Sequence, residues 1–280
     1  MSGIRSRLER AWRVVGTGLF LAAIGVGGSL LALTVFPLIV LVSRPEARPR
    51  RIQAVLSASL RLYCRAIHAM KVADVERVGV ERLAGLRGTM VVANHPSLLD
   101  VVLIMTAVPD VQCVVKGALW RNPFFRLTVE GAGYIRNDLD PEALLAACVD
   151  SLKAGRNLVI FPEGTRTRPG QPMRLHRGFA NVALAAGADL QLIRITCDPP
   201  QLHKGNPWWR VSDRRCVFRM EVGERLDIGA FLGYRYRSLS SRALVERIET
   251  YFMEHQEHGC IGTGAETADR LGLEAGRPVP

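Results

Sequence analysis

The chain has 280 residues, 48% of them hydrophobic, and its 37 Lys and Arg against 26 Asp and Glu give a formal net charge of +11. That length holds a membrane element plus one globular domain of roughly 200 residues. The basic balance suits an anionic membrane surface rather than nucleic acid, because much of the local clustering flanks an apolar run and no basic and aromatic interleaving or finger spacing is present.

Residues 14–43 contain no charged side chain, a run longer than the roughly 20 residues that span a bilayer. It exceeds a signal-peptide core, and basic residues on both sides argue against simple cleavage. Arg5, Arg7, Arg10 and Arg13 precede it and Arg44, Arg48, Arg50 and Arg51 follow, so the positive-inside rule gives no single-span orientation. Gly25, Gly27 and Gly28 near its middle leave two forms open, a hairpin of two half-length helices or one tilted helix. Residues 52–70 read as a helix with Val55, Leu56, Leu60, Tyr63 and Ile67 on its apolar side.

Beyond residue 70 the pattern alternates strands and helices. Strands are expected at 72–78, 89–93, 111–115, 157–160, 190–196 and 216–222, and helices at 97–107, 141–154, 178–186 and 243–252. The fold class is therefore α/β, a mixed β-sheet flanked by helices, behind an N-terminal hydrophobic membrane helix or hairpin. The expected division is a membrane-anchoring segment at 1–51, a catalytic domain at 52–258 and a loose tail at 259–280, which is rich in Gly, Ala and charge.

Two segments carry the chemistry. Asn94-His95-Pro96-Ser97-Leu98-Leu99-Asp100 follows the apolar run 90–93, and Phe161-Pro162-Glu163-Gly164-Thr165-Arg166 follows 157–160. Strand carboxyl ends are where α/β sheets bind ligands, so the two motifs are expected to share a cleft. His95 and Asp100 stand at the spacing with which an acid steadies a base, although Ser97-x-x-Asp100 also reads as a capping box. Glu163, Gly164, Thr165 and Arg166 set a carboxylate, a flexible glycine, a hydroxyl and a guanidinium at a strand end, a set suited to a polar or phosphorylated group, although a Pro-Glu-Gly turn with a solvated Arg reads the same.

At these residues the chain resembles the glycerolipid acyltransferase family, of which the 1-acylglycerol-3-phosphate acyltransferases are members, over residues 94 to about 194. The resemblance implies that His95 is the general base on an acceptor hydroxyl, that Asp100 orients it, and that Glu163, Gly164, Thr165 and Arg166 bind the acceptor. It implies an O-acyltransferase that moves a fatty acyl group from acyl-CoA or acyl carrier protein to a lysophospholipid, by default 1-acylglycerol-3-phosphate. A base with an ordinary pKa near 6.5 is suited to that proton transfer, and no Gly-x-Ser-x-Gly elbow offers an acyl-enzyme route.

Two departures from the family pattern bear on the acceptor. Gly131-Ala132-Gly133-Tyr134-Ile135-Arg136-Asn137 puts Asn137 where the family places an Arg and Arg136 one position early, and a one-residue shift in a strand turns a side chain to the opposite face. Arg136 is retained as an acceptor-binding candidate on those terms. The strand 190–195 lacks the family's Pro. An acyltransferase for another lipid or carrier-bound acceptor is therefore the alternative reading, and a non-catalytic membrane lipid-binding protein is the alternative from another class.

Six scattered cysteines, Cys64, Cys113, Cys148, Cys197, Cys216 and Cys260, show neither Cys-x-x-Cys nor zinc spacing, which suits reduced thiols on a reducing membrane face. No metal site, no glycine-rich nucleotide loop and no cofactor beyond the acyl donor are expected. The expected location is a bacterial inner membrane, with the catalytic domain on the cytoplasmic side. Lys116 reads as a surface lysine or a cleft residue, and His176-Arg177 as a solvent face or an anion site at a helix amino end. The 202–210 loop, with Trp208 and Trp209, reads as an interfacial belt or as one indole packed on the core.

Overall fold

A computed structural model describes residues 2–123 and 125–270. Its elements are α1 (Ser2–Val42), α2 (Arg48–Ala69), β1 (Ala73–Val78), β2 (Met90–Ala93), α3 (Asp100–Ala107), β3 (Val111–Val115), α4 (Ala118–Arg121) and α5 (Arg126–Gly131). They continue with β4 (Ile135–Arg136), α6 (Pro141–Lys153), β5 (Asn157–Ile160), α7 (Gly178–Ala186), β6 (Leu190–Asp198), β7 (Cys216–Leu226) and α8 (Arg237–Arg270). The strands form one seven-stranded sheet in the order β1-β7-β6-β2-β5-β3-β4, parallel at every pairing except the antiparallel β6–β7.

β2 lies between β6 and β5 and is buried on both faces, as its continuous apolar sequence requires. Its side chains alternate. Val91 and Ala93 join Leu103, Ile104, Ile193 and Phe218 in the core beneath α2 and α3, whereas Met90 and Val92 join Cys148, Phe179, Leu192 and Ile248 beneath α6, α7 and α8. At the strands' amino ends Asn157 locks three loops, accepting from Thr89 N–H at 3.2 Å and donating to the carbonyls of Leu86 at 2.9 Å and Pro109 at 2.7 Å.

Of the two forms left open for residues 14–43, the structure has one continuous helix. Each glycine in a helix interior costs only about 1 kcal/mol, and packing offsets that. Small residues in α1 admit close contact: a Cβ on Gly16 would stand 2.5 Å from Val72, and one on Gly18 would stand 2.8 Å from the Trp208 ring. Trp12 Nε1 donates to Met70 O at 2.8 Å and Arg13 to Asp213 O at 2.8 Å. Farther along, Ala32 and Phe36 are buried with Ile52, Leu56 and Ala132. The other side of the same helix exposes Val15, Leu19, Val26, Leu30, Leu33 and Leu41. The helix is long and apolar enough to cross a membrane, yet one side of it lies along the domain.

Trp208 and Trp209 meet edge to face at 5.7 Å, with Trp208 over Gly18 and Trp209 58% exposed. Both indoles are exposed, Trp208 at 43%, and Trp208 also packs an edge on α1 at Gly18. The closing helix expected at 243–252 is longer at both ends, and α8 runs through 259–270 of the expected tail; residues 271–280 of that tail lie outside the described residues.

Candidate active site

The two motifs converge at the carboxyl ends of β2 and β5, which are adjacent in the sheet. Asn94 extends the ladder beyond β2. Its Oδ1 accepts from Ile195 N–H at 2.7 Å and its Nδ2 donates to Ile195 O at 2.8 Å, which ties the His loop to β6.

His95 is fixed on four sides. Its backbone N–H donates to Glu163 Oε1 at 2.8 Å, and its carbonyl accepts from Thr167 N–H at 3.0 Å. The ring stacks on Phe161 with centroids 4.2 Å apart and planes 23° from parallel. Nδ1 lies 2.8 Å from Asp100 Oδ2. With Nδ1–H donating to that carboxylate, Nε2 is left with its lone pair for an incoming proton.

Asp100 also accepts from Ser97 N–H at 2.7 Å and Ser97 Oγ at 2.5 Å, and it is fully buried at the first turn of α3. The base-steadying contact is present, whereas the Ser97 cap is not: α3 begins at Asp100 rather than 97, its N-cap position is Leu99 with no side-chain cap bond, and Ser97 instead donates to Asp100 from the loop. Burial pushes the Asp100 carboxyl up from its ordinary value, opposed by the hydrogen bonds from His95 and Ser97.

Glu163 is 5% exposed and faces inward. Oε1 takes the His95 N–H and Oε2 takes the Thr167 hydroxyl, so the side chain fastens the two motif loops together. Burial pushes its carboxyl up to about 7, with the His95 N–H pulling the other way. Gly164 and Thr165 are exposed at the rim. Gly164 adopts φ +66°, and a Cβ there would come within 3.1 Å of the His176 ring, so both backbone and space favour glycine. Arg166 is half-buried and donates to Leu202 O at 2.7 Å.

Arg136 stands apart from this group. β3 and β4 lie two and three strands from β2 along the same sheet edge. There Arg136 is exposed, bound through two nitrogens to Asp138 at 2.9 Å each, with its guanidinium 5.8 Å from the Trp120 ring centroid. Asn137, which occupies the family's Arg position, accepts from Gly117 N–H at 3.0 Å. Lys116 is exposed at the end of β3. The His176 ring lies against Gly164 and its backbone N–H donates to Pro162 O at 2.8 Å, so His176 borders the Glu-Gly turn, while Arg177 is exposed.

Thr167 and Ser97 are the positioning residues that motif reading passed over. Ser97 was legible only through its spacing to Asp100; Thr167 carries no pattern signal, since its bond to Glu163 depends on the turn at Gly164. Among the described residues no group of three or more His, Cys, Asp or Glu is placed to hold a metal ion.

The family model described as Acyltransferase matches residues 74–197, the stretch that holds all of these groups. Within the α/β domain, residues 74–197 are similar to the acyltransferase family. Similar curated proteins include the 1-acyl-sn-glycerol-3-phosphate acyltransferase of Helicobacter pylori, 31% identical over 118 residues, covering 40% of this chain and 48% of that protein. The Cocos nucifera protein of the same name is 31% identical over 99 residues, covering 33% and 32% respectively. The chain thus spans about half the length, or less, of the curated relatives it matches. In fold it is similar to the crystal structure of the 1-acyl-sn-glycerophosphate (LPA) acyltransferase PlsC from Thermotoga maritima, with TM-score 0.65 and 20% identity over 90% of this chain and 98% of that one. The expected mixed sheet flanked by helices is the fold found.

Proposed function

We propose that this acyltransferase domain transfers a fatty acyl group from acyl-CoA or acyl carrier protein to the hydroxyl of a lysophospholipid, with 1-acylglycerol-3-phosphate the default acceptor and phosphatidate the product. The carrying observation is the buried Asp100 holding His95 Nδ1 at 2.8 Å while the imidazole side chain stays 17% exposed. Nε2 takes the hydroxyl proton as the oxygen attacks the thioester carbonyl. The tetrahedral intermediate then collapses, the C–S bond breaks, and the thiolate leaves with the proton returned by His95. The curated relatives named as 1-acyl-sn-glycerol-3-phosphate acyltransferases support this acceptor.

A second acceptor reading rests on Arg136, whose fork is taken by Asp138. Its withdrawal leaves Arg166 as the guanidinium beside the catalytic loop, and favours an acceptor with fewer phosphate contacts. Thiol release from a long-chain acyl thioester, measured across lysophosphatidate, other lysophospholipids and an acyl-carrier product, separates the two. Preference for lysophosphatidate supports the first reading; turnover with the others and none with lysophosphatidate overturns it.

The site of action in this proposal is the cytoplasmic face of a bacterial inner membrane, reached through α1. Its domain-facing contacts run from Arg13 to Phe36, about 35 Å of helix, comparable with the roughly 30 Å hydrocarbon core. A helix docked over that length has its exposed stripe in the lipid surface rather than across the bilayer.

A further inference from the structure

A cavity of about 410 Å³ opens between α2 and the amino ends of the central strands, a size in the range of small-ligand sites. Arg87 precedes β2, Asp110 precedes β3 and Gly155 precedes β5, and all three line it. His95 and Glu163 follow the carboxyl ends of the same strands, so the cavity and the candidate active site lie at opposite ends of the sheet and share no lining residue.

Its mouth is cationic. Arg50, Arg61 and Arg87 line it against one carboxylate, Asp110. That carboxylate is already engaged by Arg50 at 2.7 Å and by Arg156 at 3.3 Å. Arg61 donates only to neutral oxygens, Ser57 Oγ at 2.7 Å and Thr106 O at 3.4 Å. Arg87 makes no ion pair among the described residues. Two arginines therefore line the cavity without an acidic partner among the described residues, and a guanidinium fork matches phosphate geometry. Behind them the wall is apolar, with Met105, Val108 and the half-buried ring of Tyr134. The exposed side of α2 continues the theme, with Arg50, Arg51, Arg61 and Arg65 beside the 66%-exposed Leu62, the composition of a helix at an anionic lipid surface.

We infer that this cavity is a second phosphate site, separate from the acyl-transfer centre, in which Arg61 and Arg87 grip a phosphate group and the apolar wall receives the body that carries it. A phospholipid headgroup and free phosphate share this chemistry, and the wall favours the lipid.

The test counts bound dioctanoyl phosphatidate on the purified full chain in an uncharged detergent by native mass spectrometry. Wild type is expected to bind two molecules. Arg166→Gln is expected to keep the cavity molecule, and Arg61→Gln with Arg87→Gln to weaken it by at least about tenfold, from the loss of two charge-assisted contacts. Both arginines are exposed, so folding is retained, and Arg87→Glu alone gives a second variant with the same expected loss. Inorganic phosphate in excess displaces the cavity molecule if the site takes the free ion, and leaves it in place if the lipid body is needed. An unchanged count in Arg61→Gln/Arg87→Gln and in Arg87→Glu overturns the inference. Turnover of lysophosphatidate is read separately: its absence refutes the proposed reaction and leaves the cavity count standing.

Discussion

Glu163 gives the sharpest link between geometry and a measurable pH effect. Burial raises its carboxyl from 4.5 to about 7. At about 1.4 kcal/mol per pH unit, that difference makes the ionised group cost on the order of 3 kcal/mol of folding free energy. The folded value lies above the unfolded one, so the group's contribution to stability is fully present below pH 4.5 and is lost as pH rises through about 7. Glu163→Gln keeps the shape and both loop contacts, with the amide oxygen accepting from His95 N–H and the amide nitrogen donating to the Thr167 hydroxyl. Thermal unfolding of wild type and variant at about pH 5 and about pH 8 should show the variant gaining relative to wild type at the higher pH, by roughly 2–3 kcal/mol. A wild-type-to-variant difference that is the same at both pH values would refute the reasoning. Glu163→Ala is the contrasting case. It leaves the His95 N–H without an acceptor, and should destabilise by about 1–3 kcal/mol and lower kcat.

Further expectations follow from single contacts. Asn94→Ala removes both bonds to Ile195 and should lower stability by roughly 1–3 kcal/mol with a fall in kcat larger than any change in KM, read by thermal unfolding and steady-state kinetics. Gly164→Ala forces a Cβ into a φ of +66° and against His176; a cost of about 1–2 kcal/mol and a raised acceptor KM are expected. Gly18→Leu should separate α1 from Trp208, seen as a shift in tryptophan emission and weaker recovery with membranes. Docking of α1 along the domain also predicts that a cysteine placed at Arg5 and one placed at Arg214 are labelled from the same side of sealed vesicles; labelling from opposite sides would mean that α1 crosses.

Much of the fold was legible because the buried strands announce themselves. Residues 90–93 and 157–160 are short apolar runs ended by turn residues, and they sit side by side at the centre of the sheet. The His95–Asp100 pair was legible by spacing; the helix expected from Ser97 starts instead at Asp100, because the Asp100 carboxylate has lone pairs enough to hold Ser97 in the loop as well as His95. Glu163 was legible as a site residue but not in its orientation: facing inward or outward at a turn depends on Gly164, whose left-handed backbone no pattern reports. The clamp of Asn94 on Ile195 and the contact of Trp208 with Gly18 join residues about a hundred or more positions apart, beyond what local periodicity carries. The glycines at 25–28 were ambiguous for a related reason: whether they break a helix depends on what packs against it.

The central claim is that His95, oriented by Asp100, is the base of an acyl transfer. Its most direct test is thiol release from an acyl thioester in the presence of lysophosphatidate, comparing the full chain with His95→Ala and Asp100→Asn at matched folding. Loss of roughly 10²–10⁴-fold in kcat is predicted for His95→Ala, with a smaller fall for Asp100→Asn. Turnover by His95→Ala at the wild-type rate would contradict the account.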